Sequence, residues 1–504
     1  MIVVVFSVLV LSETLAVMAV LGLQLVFTMI MVSCLSKFSA HMSFGRWLLC
    51  CGRLARYVHP SDDELRRIAG VSASSVGRSA KNGKQRSDRR TAGSDDQLTL
   101  SKSADIQLDM VPIRPPDLLP LRFYAEFQWL MDFAVCGVIT YSLTEAYYAF
   151  GRPLQSEVNL SMMWCLLIIA FAVKTLFSVT AIYFRTDEGG ERILCIVFGL
   201  FFLVVAMAVL ITPDTVLDFG FEVAYTDFTA AVDSFFEKQG LESAGPVSLM
   251  TVRILLALVC SLFGALVTFP GLRLARMHTD AMRHAHEQPI KQLLLLINMI
   301  LPLVAALAWV RPLAREPLAR YGVVDESFEL VRIAVVLFVC VVRTSMVRAH
   351  LQAHLNMAHD RVVALRREPG RISTTELQKL VVRVYYYLCV VALQYLAPVV
   401  ILLFTVLMLK TLSDVSVLRV LGYNVTLTTP TARADQSSSA VTLQSYFYEV
   451  YSTAVQFSQI LTSLRQIFVP SCFRCLLSFT SWWLCATCFL TSSFGLIYYS
   501  YFDT

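Results

Sequence analysis

The chain has 504 residues, of which 56% are hydrophobic and 16% are charged, with a formal net charge of +5. Soluble domains carry about a quarter charged residues, and their helices expose a polar face. The apolar residues here instead form long, nearly uncharged runs. This composition excludes an ordinary soluble multidomain protein, and the mild positive charge does not indicate binding to nucleic acid.

Nine apolar runs are long enough to be spanning helices, each of which needs about 20 residues. They lie at roughly 19–36, 129–148, 160–181, 193–212, 252–270, 291–310, 330–347, 380–410 and 474–501. This pattern predicts an all-α fold, a polytopic α-helical membrane bundle with about nine transmembrane helices, in a range of about eight to ten. The lipid bilayer is therefore the first expected partner.

The distribution of Lys and Arg predicts how the chain is oriented. Connections 37–128, 273–291 and 343–383 are rich in both residues, whereas connection 213–251 is acidic. Basic connections remain in the cytoplasm. With nine spans, this places the N-terminus and the acidic connection outside and the C-terminus in the cytoplasm, and we expect a plasma-membrane protein.

Two N-x-S/T sequons agree with this orientation. They begin at Asn159 and Asn424, and both fall in connections assigned to the outside. Both asparagines are therefore candidates for N-glycosylation.

The same signals divide the chain into five regions. Residues 70–109 are rich in Ser, Lys and Arg and predict disorder, because they cannot bury enough apolar surface to fold. Capping boxes at Ser61–Glu64 and Ser373–Glu376 mark two helix starts. The first region, 1–36, is an apolar segment with the first span, and Met18 is an alternative start; the second, 37–128, is basic and cytoplasmic, amphipathic near 44–70 and disordered at 70–109. The third, 129–411, is the membrane bundle with a cytoplasmic helix at 343–383. The fourth, 412–473, is an extracellular or lumenal loop, and the fifth, 474–504, is the last span with a short cytoplasmic tail.

Asp132, Glu145 and Lys174 lie inside predicted spans, where a buried charge is costly and often functional. At 1.5 Å per residue, Asp132 and Lys174 lie at similar depths, while Glu145 lies toward the other side of the bilayer. We therefore predict an ion pair between Asp132 and Lys174. A structural link between neighbouring helices is the favoured interpretation, and part of an ion or proton path is the alternative.

Two prolines also lie inside predicted spans, where they kink helices. Pro302 and Pro398 each follow a polar residue by four positions, namely Asn298 and Gln394. Transporters use broken helices of this kind at midplane sites. Packing kinks explain the same pattern equally well.

The cysteines predict modification more readily than metal binding. Cys50 and Cys51 lie in a basic, juxtamembrane stretch that suits S-palmitoylation, with plain interfacial packing as the alternative. The two CxxC pairs near the C-terminus fall on one predicted helix, where Cys475 and Cys485 are about 15 Å apart. That separation is too large for the four thiols to share one zinc ion.

The remaining candidates for chemistry are weak. Six histidines lie in basic connections, and solvated interfacial positions are favoured over a metal or pH site, even for His350 and His354 at an i, i+4 spacing. No phosphate-binding loop, dinucleotide fingerprint or nucleophile elbow is present in the sequence. We therefore expect no catalytic residue, no metal and no cofactor, and a protein that is not an enzyme.

Several strings resemble the transmembrane protein 161 family. They are Arg46–Cys50, Gln128–Phe133, Asp187–Arg192, Glu237–Ser243, Thr268–Ala275 and Gly370–Pro398. The resemblance runs in order from about Leu21 to the C-terminus, whereas residues 1–17 are additional to the family pattern.

The resemblance implies a multi-pass membrane protein with no established enzyme activity. Members are linked to restraint of potassium and calcium currents, to normal heart rhythm and to tolerance of oxidative stress. We therefore expect a modulator of ion currents, with an ion channel or other membrane protein as its partner. The alternatives are a transporter or channel in its own right, and a role in oxidative-stress tolerance.

Overall fold

The computed structural model describes most of the chain from residue 43 onward. The described residues are 28–33, 35, 37, 43–50, 54–61, 64–65, 67, 99–102, 106–150, 159–185, 189–238, 248–320, 322, 325–413 and 469–502.

Most elements are helices, and the longest coincide with the apolar runs. The region before the bundle contains α1 (Phe44–Cys50), β1 (Ala55–Val58), β2 (Thr99–Ser101), β3 (Asp109–Pro112) and α2 (Pro115–Leu118). The bundle and its connections contain α3 (Tyr124–Phe150), α4 (Leu160–Arg185), α5 (Gly189–Ile211), α6 (Phe221–Lys238), α7 (Leu249–His284), α8 (Pro289–Leu307), α9 (Arg315–Arg320), α10 (Asp325–Leu365), β4 (Arg371–Ser373), α11 (Thr374–Tyr386), α12 (Leu388–Leu412) and α13 (Pro470–Phe502).

Seven helical stretches are long and apolar enough to cross a membrane. They are α4, α5, α7, α8, α10, α11 with α12, and α13. This confirms the predicted all-helical membrane bundle, but it does not establish a count of nine. The second apolar run lies in α3, whose 27 residues extend about 40 Å, and the first run is described only in part.

Helix α12 forms the centre of the bundle. In the most apolar stretch of α11 and α12, 94% of residues are buried, against 22% in α5. Every residue from Leu388 to Leu402 is buried, and α12 contacts α3, α4, α7, α10 and α13. A helix that is apolar on all sides is stable only when other helices or lipid surround it, and here the surroundings are helices.

Glycines let some of these helices approach closely. A Cβ atom at Gly264 on α7 would lie 2.5 Å from the Phe202 ring on α5. A Cβ atom at Gly271 would lie 1.9 Å from Thr491 Oγ1 on α13. Small residues at such contacts allow van der Waals packing between membrane helices, which have little hydrophobic driving force to associate in lipid.

Two small antiparallel sheets cover the end of the bundle where α12 begins, here called the sheet-covered end. Strand β1 pairs with β3, and β2 pairs with β4. The side chain of Gln352 on α10 joins β1 to the bundle, because its Oε1 accepts from Ala55 N (3.0 Å) and its Nε2 donates to Ala55 O (3.1 Å). The all-α prediction did not include these sheets.

The structure departs from the prediction of disorder at 70–109. Residues 70–98 lie outside the described residues, but Thr99–Ser101 forms β2, paired with Arg371–Ser373. Leu100 is 1% exposed and packs in a small apolar cluster with Ile372 and Leu377. The strand is ordered because a distant part of the chain supplies both its hydrogen bonds and its apolar contacts.

Both predicted capping boxes are present. Ser373 Oγ accepts from Glu376 N (3.2 Å), and the Glu376 carboxylate accepts from Ser373 N (3.4 Å), at the start of α11. The same reciprocal pair joins Ser61 and Glu64. Helices α11 and α12 are separate, because the chain leaves helical geometry at Tyr387.

The contact between α5 and α7 offers a matched test of close packing. Gly264→Ala should reduce the stability of the fold by about 1–3 kcal/mol, the usual cost of overpacking, because the Phe202 side chain is fully buried. Gly199→Ala on the facing helix should be tolerated, because its Cβ would lie 3.6 Å from Ala265. Thermal unfolding in detergent measures both, and equal effects would contradict the packing described.

Candidate functional site

Asp132 holds helix α1 against the bundle. Its Oδ1 accepts hydrogen bonds from Ser43 Oγ (3.0 Å) and from Gly45 N (3.1 Å), at the start of α1. A carboxylate at a helix N-terminus accepts hydrogen bonds from free backbone N–H groups and interacts favourably with the positive end of the helix dipole. Asp132 is 7% exposed, and its role here is to position an amphipathic helix.

The predicted ion pair between Asp132 and Lys174 is wrong. Lys174 lies on an exposed face of α4, and no ion pair joins these two described residues. Residue spacing predicts the depth of each residue along its helix, but not the direction in which each side chain points.

The charge pair inside the bundle joins Glu145 on α3 to Lys410 on α12. Tyr141, one turn before Glu145, donates a hydrogen bond to Leu407 O (3.0 Å) and lies 3.0 Å from Thr411 Oγ1. These polar contacts lie at the end of the bundle opposite the sheets. Sequence reasoning missed Lys410 because it closes the eighth apolar run and was counted as a boundary residue.

A second set of polar contacts joins α4, α7 and α12. Gln394 Nε2 donates to Tyr183 Oη (2.9 Å), and Arg273 Nη2 donates to the same oxygen (3.0 Å). The Tyr183 ring stacks on Phe269 at 4.2 Å between centroids. The predicted polar position Gln394 is therefore part of a network between three helices.

Arg343 on α10 is buried beside this network, with 6% of the residue exposed. Its carbonyl oxygen accepts from Tyr395 Oη (2.8 Å). The Tyr395 ring lies 5.2 Å from the His350 ring, which in turn lies 6.2 Å from the His278 ring. The sequence carried a signal here, an arginine inside the seventh apolar run, but Arg343 was assigned to the following cytoplasmic connection.

Several buried polar atoms in this part of the bundle have no hydrogen-bond partner. They are Arg343 Nε, Gln394 Oε1, Ser492 Oγ, His278 Nδ1, His350 Nε2 and both amide atoms of Asn298. Arg343, Gln394, Tyr395 and Ser492 line one small cavity and are here called the Arg343 cluster. Buried polar groups are normally paired, so these atoms are available to bind water or another small polar species.

The predicted prolines lie inside helices, Pro302 in α8 and Pro398 in α12. Asn298, four residues before Pro302, is fully buried. Pro398 lines the cavity of the Arg343 cluster. A third proline, Pro270, lies inside α7 beside the same cavity. Kinks at Pro302 and Pro398 stay a prediction.

At the end of the bundle opposite the sheet-covered end, four charged residues form the Asp218 cluster. They are Asp218, Arg315, Glu329 and Arg332. Asp218 accepts from Arg315 Nη1 at 2.8 and 2.9 Å, while Arg332 pairs with Glu329 and lies 3.5 Å from Asp218. The Arg332 guanidinium also stacks over Trp309 at 4.9 Å. The described residues leave a cavity of about 690 Å³ beside this cluster.

The prediction of solvated histidines is wrong for three of the six. His278, His350 and His354 are 6%, 0% and 5% exposed, because α7 and α10 continue as packed helices beyond the apolar runs. His284 and His359 are exposed. Within the described part of the chain, no group of three or more His, Cys, Asp or Glu residues is placed to hold a metal ion.

The predicted modification sites are described only in part. Cys50 ends α1 and packs, half-buried, against the bundle core. Burial raises the pKa of its thiol, and the nearby charge of Arg46 opposes this. Asn159 precedes α4, where its Oδ1 accepts from Ser161 N (3.0 Å) and Ser161 Oγ (2.6 Å). Cys51 and Asn424 lie outside the described residues.

Apolar helices of spanning length, with charged and polar pairs enclosed between them, define a multi-pass α-helical membrane protein. The chain matches the family model described as "Predicted transmembrane protein 161AB" over residues 19–503. It therefore belongs to the transmembrane protein 161AB family, which confirms the resemblance in the sequence. No solved structure matches the chain.

Two lysines provide a matched test of the corrected charge pair. Lys410→Met leaves Glu145 without its partner and should reduce stability by about 1–3 kcal/mol, the usual cost of an unpaired, partly buried charged group. Lys174→Met should change stability little, because Lys174 is exposed. Thermal unfolding of both variants in detergent measures the difference. A larger loss of stability with Lys174→Met than with Lys410→Met would contradict this pairing and favour the pair Asp132–Lys174.

Proposed function

We propose that the protein is a non-enzymatic, multi-pass membrane protein that modulates potassium and calcium currents, and thereby excitability such as heart rhythm, by acting on an ion channel or another membrane protein. Membership of the family supports the membrane assignment, and the resemblance supplies the link to ion currents. The observation that favours a modulator over a transporter is the solid packing of α12, whose residues Leu388–Leu402 are all buried.

A transporter needs a polar cavity near the middle of the membrane. Among the described residues, Asp132 instead binds α1, and Lys174 is exposed on α4. Asn298 is fully enclosed, and the cavity beside Gln394 measures only about 10 Å³, counted as room for the centre of a water-sized sphere. This arrangement offers no passage for a solute and supports the modulator.

The Arg343 cluster favours a second candidate function, a transporter or channel in its own right. Unpaired buried polar atoms lie here beside Pro270 and Pro398, which are prolines inside helices. Transporters build their ion sites at interrupted helices near the membrane midplane. A second conformation that widens the cavity would be needed for transport.

The proposed topology has nine spans, an outer N-terminus and a cytoplasmic C-terminus in the plasma membrane. Its support is the charge asymmetry: the basic stretches 273–291 and 343–383 begin in the C-terminal parts of α7 and α10, at one end of the bundle, and the acidic stretch 213–251 precedes α7 at the other. Asn159 and Asn424 are then available for glycosylation outside, and Cys50 and Cys51 for palmitoylation inside.

Accessibility of inserted tags tests this topology. A tag at Gly370 should be reached by antibody only after cells are permeabilised, and a tag beside Asn424 should be reached in intact cells. Asn424→Gln should remove a mobility shift caused by peptide N-glycosidase, with Asn159→Gln as the parallel variant. Finding the two tags on the same side would contradict the nine-span topology.

Ion flux in liposomes separates the two candidate functions. The purified full chain should give no potassium or calcium flux above empty liposomes, and its co-expression with a channel should reduce whole-cell current. Glu145→Gln disrupts the structural pair with Lys410, and liposomes with this variant should also show no flux. Robust flux without a partner would contradict the modulator and support the transporter.

A further inference from the structure

The charge of Arg343 lies inside the bundle without a compensating charge. The residue is 6% exposed, and its Nε atom is buried with no hydrogen-bond partner. Among the described residues, no carboxylate forms an ion pair with Arg343. Arg332, which is also buried on the same helix, differs because it pairs with Asp218 and Glu329.

An arginine remains protonated in proteins, so it cannot escape the cost of burial by losing its proton. Its charged surroundings do not help, because the nearby polar network contains a second cation, Arg273, which is linked through Tyr183 to Gln394 on the same cavity. Burying a charge is expensive unless it is paired and hydrogen-bonded. The site therefore lacks one negative charge.

The cavity beside Arg343 has donors available for an anion. Ser492 is 2% exposed, and its hydroxyl has no partner. Gln394 supplies another donor when its amide turns by 180°, since Oε1 then accepts from the Tyr183 hydroxyl and Nε2 faces the cavity. This rotation also satisfies Tyr183, whose oxygen would otherwise accept from both Arg273 and Gln394.

The size of the cavity selects the ligand. Its volume is about 10 Å³, counted as room for the centre of a water-sized sphere, which is space for about one such particle. A phosphate, a sulfate or a lipid headgroup carries several heavy atoms and does not fit. A single halide ion does.

We propose that one halide ion, chloride under physiological conditions, binds in this cavity between the Arg343 guanidinium, the Ser492 hydroxyl and the Gln394 amide. The ion neutralises the buried charge and contacts side chains from α10, α12 and α13. Chloride is thereby a structural ligand of the bundle core. This inference does not depend on the proposed modulation of ion currents.

Thermal unfolding of the purified full chain in detergent tests the site. Sodium chloride is replaced by sodium gluconate at constant ionic strength, because gluconate is too large for the cavity. A ligand that binds only the folded state lowers the unfolding equilibrium constant about 100-fold at about 100 times its Kd. The unfolding midpoint should therefore rise with chloride, and bromide should replace chloride.

Arg343→Gln should abolish the chloride dependence. Arg348→Gln is the matched control five residues further along α10, where the guanidinium lies over Trp47 and outside the cavity. It should keep the full dependence. The same midpoint in chloride and gluconate for the natural chain would mean that the cavity holds only water, and an unchanged shift in Arg343→Gln would mean a non-specific salt effect; either result overturns the proposal.

Gln394→Glu keeps the test decisive if Arg343→Gln does not fold. The new carboxylate can accept from the Tyr183 hydroxyl with one oxygen and place the other beside Arg343, so the protein supplies its own anion. This variant should fold in gluconate and show no response to chloride. A chloride response equal to that of the natural chain would overturn the site.

Discussion

Polar groups on α12 must find partners within the protein, because its buried side chains are out of reach of water and lipid alike. Three of its polar side chains each bind a different neighbour. Lys410 pairs with Glu145 on α3, Tyr395 donates to the Arg343 carbonyl on α10, and Gln394 binds Tyr183 on α4. Apolar packing alone would allow these helices to rotate or slide against α12, whereas one polar contact each fixes both depth and rotation. The central helix thus specifies the arrangement of those around it.

Much of the architecture could be predicted from the amino-acid sequence, because the underlying signals are local. Apolar runs of spanning length locate the helices, and the capping box at Ser373 and Glu376 marks the start of α11 correctly. The strand Thr99–Ser101 could not be predicted in the same way. This strand is ordered by pairing with residues 371–373, more than 250 positions further along the chain. No local sequence pattern predicts that pairing.

The polar contacts were predicted less well, for one geometric reason. The rise along a helix gives the depth of a side chain, but the neighbour it meets depends on rotation about the axis. Asp132 and Lys174 share a depth, yet one faces α1 and the other lies on an exposed surface. Glu145 and Lys410 face one another. The lysine was not predicted as a partner because it is the last residue of its apolar run. Gln394 was predicted only as a polar residue inside a span, and neither its network nor its partner Tyr183 was predicted.

Helix α10 has a mechanical consequence that follows from its composition. It runs for 41 residues without a glycine or a proline, so it is a rod of about 62 Å with no built-in hinge. One part of the rod carries Arg332 in the Asp218 cluster, and another carries Gln352 beneath strand β1. A rod of this kind tilts as a unit. The helix therefore sets the separation between these two sites by its own length, about 30 Å for the residues from Arg332 to Gln352.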